Sequence, residues 1–206
     1  KGEYMDGIYD TLAVSGNDLY LTIDAELQAY GEQLMHNKRG SIVAIQPETG
    51  EILALISSPT YDPNLLIGRV RSKNYKALSE DTLVPLFNRA LLAMYPPGST
   101  FKMLGALIGQ QEGVLSVNTT YPCAGETAHP IKCSHNHNSP LALVESIEQS
   151  CNPYYWNVFR SVIDNPKYGS TREAFEKWRD YLESFNLGIT FNTDLLVERG
   201  GNVPRS

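Results

Sequence analysis

The amino-acid sequence predicts an α/β fold of the α+β type that is rich in helices and has one clear β-hairpin. Two β-rich runs, residues 40–46 and 51–57, flank the short connection Pro47-Glu48-Thr49-Gly50, as in a hairpin. Five other segments have the apolar pattern or the capping residues of helices. The 206 residues include 42% hydrophobic and 19% charged side chains, a composition that is typical of folded domains and argues against disorder.

The charge balance excludes two classes of partner. With 17 Lys and Arg against 23 Asp and Glu, the net charge is −6, so there is no basic surplus to neutralise nucleic-acid phosphates or anionic lipids. No apolar run reaches the roughly 20 residues of a membrane helix, and no signal peptide is recognisable. Because residue 1 is Lys rather than Met, we expect the chain to be a processed or engineered piece of a longer protein.

The first ninety residues are expected to hold a lead-in, a strand, a helix and the hairpin. Residues 1–18 are polar and turn-rich, whereas residues 19–23 form a short β-rich run. Asp24 can cap a helix that ends near residue 37, with one apolar stripe made of Leu27, Tyr30 and Leu34. Both hairpin runs are apolar at nearly every position, which predicts a covered sheet. Residues 59–88 are predicted to form a long irregular connection.

The rest of the chain is predicted to be helical around one long loop. Pro96-Pro97-Gly98 opens a helix over about residues 99–111, and its apolar side chains surround the axis, which predicts a buried helix. Residues 116–139 form the loop. Helices over about 141–149 and up to about 163 follow, separated by Ser150-Cys151-Asn152-Pro153. Ser170 to Glu173 has the form of a capping box and begins a helix that ends before Gly188, with the apolar stripe Phe175, Trp178, Leu182 and Phe185.

One charged side chain stands out in the apolar helix that follows Gly98. Lys102 is the only charged residue between Arg89 and Glu112, and burying an ammonium group is costly unless it is paired or its pKa falls. Ser99 lies three residues earlier and so shares a helix face with Lys102. A desolvated lysine can act as the general base of a serine, which makes Ser99 a candidate nucleophile. Alternatively, Ser99 caps the helix and Lys102 extends to solvent.

A second polar group lies at the helix break. Ser150 and Asn152 are two residues apart in an extended turn, so their side chains project to the same side. They could relay a proton and hold an amide substrate beside Ser99 and Lys102. Ser and Asn before a proline are also common capping residues, and the triplet alone does not distinguish the two roles.

Together, S-x-x-K and a Ser-x-Asn triplet are motifs of penicillin-binding proteins and related β-lactamases. The chain resembles class B penicillin-binding proteins, closest to the elongation transpeptidases known as penicillin-binding protein 2. The resemblance covers almost the whole chain and is carried by Leu21-Thr-Ile-Asp24 with Leu27-Gln28, the hairpin residues 41–54, Tyr61-Asp-Pro-Asn64, Asn88-Arg-Ala90, Tyr95-Pro-Pro-Gly-Ser-Thr-Phe-Lys102, Ser150-Cys-Asn152 and Glu198-Arg-Gly-Gly-Asn-Val-Pro204.

The resemblance implies a penicillin-binding-protein or serine β-lactamase-like transpeptidase fold and an acyl transfer in bacterial cell-wall synthesis. Ser99 would attack the D-Ala-D-Ala bond of a peptidoglycan stem peptide, and Lys102 would accept its proton. Ser150 would shuttle protons and Asn152 would hold the substrate amide. β-Lactams would acylate Ser99, and no cofactor and no catalytic metal are implied. It also implies the periplasmic side of the bacterial inner membrane and, for the full-length protein, cell-elongation membrane proteins as partners.

The third motif of the family, Lys-[Ser/Thr]-Gly, does not occur in the sequence. Lys167-Tyr168-Gly169 and Lys38-Arg39-Gly40 lack the small hydroxyl residue. We therefore expect residues 19–206 to be the front portion of a transpeptidase domain whose C-terminal strands are missing, preceded by a lead-in over residues 1–18. On this expectation the isolated chain is catalytically incomplete.

A cluster of metal-ligating side chains lies in the loop before the second motif. Its members are Cys123, His129, Cys133, His135 and His137. Their density suggests zinc, although the spacing is not that of a standard zinc motif. A disulfide between Cys123 and Cys133 is a second interpretation, natural in the periplasm, and unpaired loop residues are a third. Cys151, inside the Ser-x-Asn triplet, is interpreted as a packing residue.

Two other functions remain open at this point. The sequence Ser-Thr-Phe-Lys also resembles class D β-lactamases and β-lactam sensor domains, but the extended match before the hairpin argues against both. A non-catalytic module that docks cell-wall partners is the alternative from a different class.

Overall fold

Seven α-helices and one two-stranded sheet make up the regular structure of the described residues. The computed structural model describes residues 15–191 and 197–205, so most of the lead-in expected over 1–18 lies outside the described part. The chain divides into two compact units, residues 1–90 and 91–206. The first unit contains α1 (Ala25–Leu34), β1 (Gly40–Ile45), β2 (Ile52–Ser58) and α2 (Arg71–Glu80); α3 (Arg89–Leu92) contains the boundary; the second unit contains α4 (Phe101–Gln111), α5 (Leu143–Glu148), α6 (Asn152–Ile163) and α7 (Thr171–Ser184).

The predicted hairpin is present in the first unit. Strands β1 and β2 are antiparallel, with Gly40 opposite Ser58 and a register shift at Ala44 and Ile45. Helix α1 packs on β2, and a Cβ at Gly31 would approach Ile56 Cδ1 to 2.7 Å. A larger residue at this position would require the buried Ile56 side chain to move. The Gln28 side chain completes the contact, since its Oε1 accepts from Leu55 N at 2.8 Å and its Nε2 donates to Leu55 O at 3.2 Å.

The N-terminal boundary of α1 is as predicted, but its apolar stripe is not the buried face. Asp24 caps the helix by accepting from the backbone N–H groups of Glu26 and Leu27. Tyr30 and Leu34 remain half exposed, because Gln28 and Gly31 make the contacts with β2. The face of β1 that carries Val43 and Ile45 is also exposed, so the expected covering of the sheet is not found among the described residues.

Two further predictions for the first unit are wrong. Residues 19–23 form no strand. Two hydrogen bonds join this segment to β2: Asp24 N donates to Leu53 O, and Thr22 Oγ1 donates to Ile52 O. Two bonds are too few to make residues 19–23 a strand of the sheet. Residues 59–88 are not wholly irregular, because they contain α2. That helix buries none of its residues, and a helix without a buried face lacks the apolar periodicity that would reveal it.

The second unit is built around the packing of α4, α6 and α7. Helix α6 follows the Ser150-Cys151 turn, and Pro153 occupies its first turn, where proline is tolerated. Ser170 caps α7 by accepting from Glu173 N, as predicted. Trp178 of α7 makes edge contacts with Phe101 and Phe159. None of the helices among the described residues has the length and apolar character of a membrane span.

Helix α4 is less buried than its sequence predicts. Ala106, Ile108 and Gly109 are buried, whereas Met103 and Leu107 are each 51% exposed. The apolar character of the helix therefore exceeds the area that the described residues cover. On α7, Trp178 and Leu182 of the predicted stripe are buried, while Phe185, just after the helix, is half exposed.

A buried carboxylate ties the end of α4 to the connection between α6 and α7. The side chain of Glu112 is 1% exposed and lies 2.7 Å from Lys167 Nζ. It accepts hydrogen bonds from the hydroxyls of Tyr168 and Tyr181, at 2.9 Å and 2.7 Å. Burial raises the pKa of Glu112, but these bonds outweigh it and hold the pKa below its usual value. Lys167 and Tyr168, which superficially resemble the third family motif, thus serve the packing of this unit.

Replacing Glu112 with glutamine is expected to lower the free energy of unfolding at pH 7 by about 1–3 kcal/mol, because Gln lacks the charge that Lys167 and two hydroxyls bind. Since folding depresses the Glu112 pKa, this contribution is present above the usual pKa of 4.5 and is lost as the pH falls through the folded-state value. Urea unfolding of both proteins at pH 7 and at pH 3 checks this. A difference that is the same at both pH values would contradict it.

Candidate active site

The candidate nucleophile stands at the entrance of α4. Gly98 has φ +64°, a conformation that glycine adopts without strain, and it begins a short 3-10 turn over Gly98–Thr100 that leads directly into the helix. Ser99 lies in this turn and is exposed, while Lys102 lies in the first turn of α4 and is partly buried. The helical path places the two side chains together, with Lys102 Nζ 3.2 Å from Ser99 Oγ.

The structure brings the four candidate residues into one hydrogen-bonded group. Lys102 Nζ lies 2.9 Å from Ser150 Oγ and 2.7 Å from Asn152 Oδ1, and it also contacts the backbone carbonyl of Ser150. Ser150 Oγ in turn lies 2.9 Å from Ser99 Oγ. The alternative in which Lys102 extends to solvent does not describe this geometry.

An uncommon backbone conformation presents Ser150 to Lys102. Ser150 has φ +48°, in the left-handed region that a residue with a Cβ adopts only at a cost of order 1–3 kcal/mol. The turn is held from both sides, since Ser150 N donates to Ile147 O and Cys151 N donates to Ser146 O, each at 3.0 Å. As a result, both the carbonyl and the hydroxyl oxygen of Ser150 lie within hydrogen-bonding reach of one amine.

Burial makes the ammonium group of Lys102 easier to deprotonate than that of an exposed lysine. Burial lowers the pKa of Lys102, although the nearby Cys133 and Cys151 thiols oppose the shift when ionised. An ammonium group has three hydrogens, yet four oxygen atoms surround Nζ. A neutral amine could donate to two of them and accept the proton of a third, the Ser99 hydroxyl. The arrangement can therefore activate Ser99 by general-base catalysis.

Asn152 connects this group to the long loop. Its Oδ1 accepts from Lys102, and its Nδ2 donates to the carbonyl of Lys132 at 3.0 Å. The amide is thus fixed in orientation between α4 and the loop, as a group that aligns a peptide substrate must be.

A second cluster lies directly behind the triplet. Ligating atoms of Cys123, Cys133, His137 and Cys151 all lie within 4.8 Å of one another. All three cysteines are free thiols, so the disulfide interpretation does not describe this structure. His129 and His135 are not in this cluster. Cys151, interpreted from sequence as a packing residue, is fully buried but also faces the cluster. Sequence reasoning did not identify Cys151 as a possible ligand, because it lies far from the other ligands in the sequence and inside a different motif.

The hydrogen bonds of the cluster suit anionic thiolates and a cation. Burial raises the pKa of Cys133, but bonds from the backbone N–H groups of Asn152, His135 and Ser134 and from the His137 ring lower it to about 6. His137 Nδ1 lies 2.8 Å from the carbonyl of Asn138, which leaves Nε2 facing Cys133 Sγ at 3.4 Å. Burial and the neighbouring thiols raise the pKa of Cys151 to about 12, so ionising all three thiols requires a compensating positive charge.

These four side chains fit a tetrahedral zinc ion. Zinc–sulfur bonds of about 2.3 Å place tetrahedral sulfur ligands about 3.8 Å apart, within the separation that the cluster shows. A Cys₃His donor set is one of the standard structural zinc sites. The His137–Asn138 bond supplies the usual second contact of a ligating histidine.

The chain is similar to known proteins over most of its length. The family model described as "Penicillin binding protein transpeptidase domain" matches residues 40–206. The peptidoglycan D,D-transpeptidase MrdA of Escherichia coli K12 is 34% identical over 99% of this chain. The chain spans about a third of that relative, 31% of its length.

Solved structures are also similar. Penicillin-binding protein 2 of Pseudomonas aeruginosa, in complex with WCK 5153, matches with a TM-score of 0.74 and 30% identity, over 90% of this chain and 41% of that one. The penicillin G acyl-enzyme complex of penicillin-binding protein A from M. tuberculosis matches with a TM-score of 0.66 and 30% identity, over 86% of this chain and 42% of that one. The fold resemblance predicted from the sequence is confirmed.

Proposed function

Because the chain belongs to the penicillin-binding protein transpeptidase family, we propose that the full-length protein acts as a peptidoglycan D,D-transpeptidase on stem peptides that end in D-Ala-D-Ala, and that this chain supplies its nucleophile and its general base. The observation that carries this proposal is the position of Lys102 Nζ, which contacts Ser99 Oγ, Ser150 Oγ and Asn152 Oδ1 at once. A nucleophile, its base, a proton relay and an amide-binding group are the parts that a serine acyl transfer needs.

In the acylation step, Ser99 Oγ attacks the carbonyl carbon of the D-Ala-D-Ala bond while its proton passes to Lys102 Nζ. The N-terminal end of α4 provides a positive potential for the developing oxyanion. The leaving D-Ala amine needs a proton, and Ser150 Oγ, between Lys102 and Ser99, can relay it from Lys102. Asn152 holds the amide of the stem peptide. The products are D-Ala and an ester between Ser99 and the donor peptide.

The second step returns the enzyme to its starting state. An amine of a neighbouring stem peptide attacks the Ser99 ester, and Lys102, neutral again after donating its proton, accepts a proton from that amine. The collapse of the tetrahedral intermediate breaks the bond to Ser99 Oγ, which takes the proton back from Lys102, and forms the cross-link. No cofactor takes part in either step. β-Lactams would enter the first step as substrate mimics, because their strained amide presents the same carbonyl to Ser99.

The lifetime of the penicillin adduct tests this proposal. We expect intact-mass spectrometry of the full-length protein to find one covalent penicillin per molecule that lasts for hours, because a transpeptidase without an amine acceptor deacylates slowly. An adduct that turns over within seconds would instead indicate a class D β-lactamase-like enzyme. A well-folded chain that forms no adduct would leave only a non-catalytic scaffold, and either result would overturn the proposal.

We also propose a cellular setting, which rests on the same family membership. A D,D-transpeptidase acts where peptidoglycan is assembled, so we place the protein at the periplasmic side of the bacterial inner membrane, with cell-elongation membrane proteins as its partners. The relatives named peptidoglycan D,D-transpeptidase support this placement.

We further propose that Cys123, Cys133, His137 and Cys151 hold one structural zinc ion. The observation that favours it is the convergence of their four ligating atoms. When bound, zinc would supply a cross-link between the long loop and the second motif and would neutralise the buried thiolates. The catalytic group needs no step from it, because Ser99, Lys102 and Ser150 exchange protons among themselves.

Removal of the metal is expected to lower the melting temperature. At a free zinc concentration a thousand times the Kd, binding contributes about 4 kcal/mol, or about 8–16 °C for a chain of this size. Elemental analysis should find one zinc per chain, which His137→Ala loses. His129→Ala is the matched control, because His129 is exposed and outside the cluster. Equal zinc content in both variants would contradict the assignment.

A further inference from the structure

The proposed metal centre has a second chemical property, because three of its four ligands are thiols. The Sγ atoms of Cys123, Cys133 and Cys151 lie within 4.8 Å of one another, and no disulfide joins any two of them. To form a disulfide bond, two of these sulfur atoms must approach to the bond length of about 2.05 Å, so closure has to move the residues that carry them. Metal binding and disulfide formation use the same sulfur atoms, so they exclude each other.

The geometry points to Cys123 and Cys151 as a disulfide that forms when the metal is absent and that switches off acylation of Ser99. This inference rests on the proposed function, since the switched reaction is the acyl transfer. Its structural basis is the position of Cys151 between Ser150 and Asn152, the two residues of the second motif that contact Lys102.

The pairing follows from how the three thiols are held. The Sγ atoms of Cys123 and Cys151 lie within 4.8 Å of each other, and Cys123 Sγ accepts one backbone hydrogen bond, from Gly125 N at 3.3 Å. Cys133 is instead engaged by the ring of His137 and by the backbone N–H groups of Asn152, His135 and Ser134. Cys123 is the most exposed of the three at 9%, and Cys151 is fully buried at 0%. Cys123 is therefore the thiol that an oxidant meets first, and Cys151 is the thiol beside it.

The oxidant is a small disulfide, and the reaction balances without other reagents. Cys123 Sγ attacks one sulfur of the small disulfide, forms a mixed disulfide and expels one small thiol. Cys151 Sγ then attacks Cys123 Sγ and expels the second small thiol. The protein loses two electrons and the two thiol protons, and both pass to the two molecules of small thiol that are released.

Closure of the bond would displace the second motif. Cys151 is held by its N–H bond to Ser146 and follows Ser150, whose left-handed conformation aims two oxygens at Lys102. Drawing Cys151 Sγ onto Cys123 moves this tightly supported turn. Because a misplacement of about 1 Å can cost about a hundredfold in rate, we expect acylation of Ser99 to slow at least about tenfold.

The test compares reduced and oxidised forms of the full chain after chelation of metal. Oxidised glutathione is the probe, peptide mapping identifies the linked cysteines, and a fluorescent penicillin measures the acylation rate. We expect a Cys123–Cys151 link, at least about a tenfold slower acylation, and recovery with dithiothreitol. Cys133→Ser is expected to keep the link and the same ratio of reduced to oxidised rates, whereas Cys123→Ser is expected to lose both. Chain reloaded with zinc should resist oxidation.

Several results would overturn the inference. A link that joins Cys133 to either other cysteine, or no link at all, would refute the pairing. The expected link with an unchanged acylation rate would refute the switch, and zinc-loaded chain that oxidises as fast as metal-free chain would refute the mutual exclusion. If the reduced chain forms no adduct, the proposed function fails and the switch with it, while the mapping still decides the pairing.

Discussion

Replacing Ser99 with alanine is expected to abolish the covalent penicillin adduct, reducing labelling from one per chain to none. The adduct is an ester to Ser99 Oγ, and no other hydroxyl replaces it. Ser150 Oγ is 2.9 Å away, but it sits in the fixed left-handed turn rather than at the entrance of α4. Because Ser99 is exposed, the melting temperature should change little. Intact-mass spectrometry after incubation with penicillin G measures the result.

A serine far from the site provides the matched control for this variant. Ser184 donates only to the carbonyl of Tyr181 at the end of α7, so Ser184→Ala should be labelled like the unaltered chain. Labelling that persists in Ser99→Ala, with the modified peptide mapped to Ser150 or to Lys102, would show that the nucleophile is assigned to the wrong residue.

The candidate catalytic group could be predicted from sequence because its members lie in two short motifs with local geometry. Ser99 and Lys102 share a helix face by their spacing alone, and Ser150 and Asn152 share a turn. The spacing of residues along the sequence does not show that the two motifs lie close together in the fold. That required the family resemblance, and the packing of α4 against α6 is what places Asn152 Oδ1 2.7 Å from Lys102 Nζ.

The full membership of the cysteine cluster could not be predicted from the sequence. Cys133 and His137 are four residues apart and were recognisable as candidates, but Cys151 joins them only through the fold. The same holds for Glu112, which meets Lys167, Tyr168 and Tyr181 across more than fifty residues of sequence. A buried polar network of this kind has no periodic signal, because its partners come from different elements.

The sequence-based prediction of secondary structure was wrong where the apolar pattern of the sequence did not match the burial of the side chains. Helix α2 has charged residues and no buried face, so its sequence resembles that of a loop. Residues 19–23 have β-forming side chains, but Leu19 and Tyr20 are more than four-fifths exposed and no ladder forms. Apolar content alone also overstated the burial of α4, where Met103 and Leu107 face away from the described core.

Replacing Lys102 with arginine is expected to lower the second-order rate constant for penicillin acylation by about 10²–10⁴-fold, the range that general-base catalysis contributes. Arginine keeps the positive charge and can bond to Ser150 and Asn152, but it does not lose a proton in proteins. A loss of this size would therefore report proton transfer rather than the loss of a cation. Lys177→Arg on α7, whose Nζ lies 3.6 Å from Asp180, is the matched control and should acylate normally.

The pH dependence separates a base from a structural cation. If Lys102 accepts the Ser99 proton, acylation of the unaltered chain should rise with pH as the ammonium group deprotonates and then level off. Since burial lowers the pKa of Lys102 from its usual 10.5, the plateau should begin below the pH at which an exposed lysine titrates. The residual rate of Lys102→Arg should lack this rise. A profile that falls with increasing pH would mean that the charged amine is the active form and would assign the base role to another group.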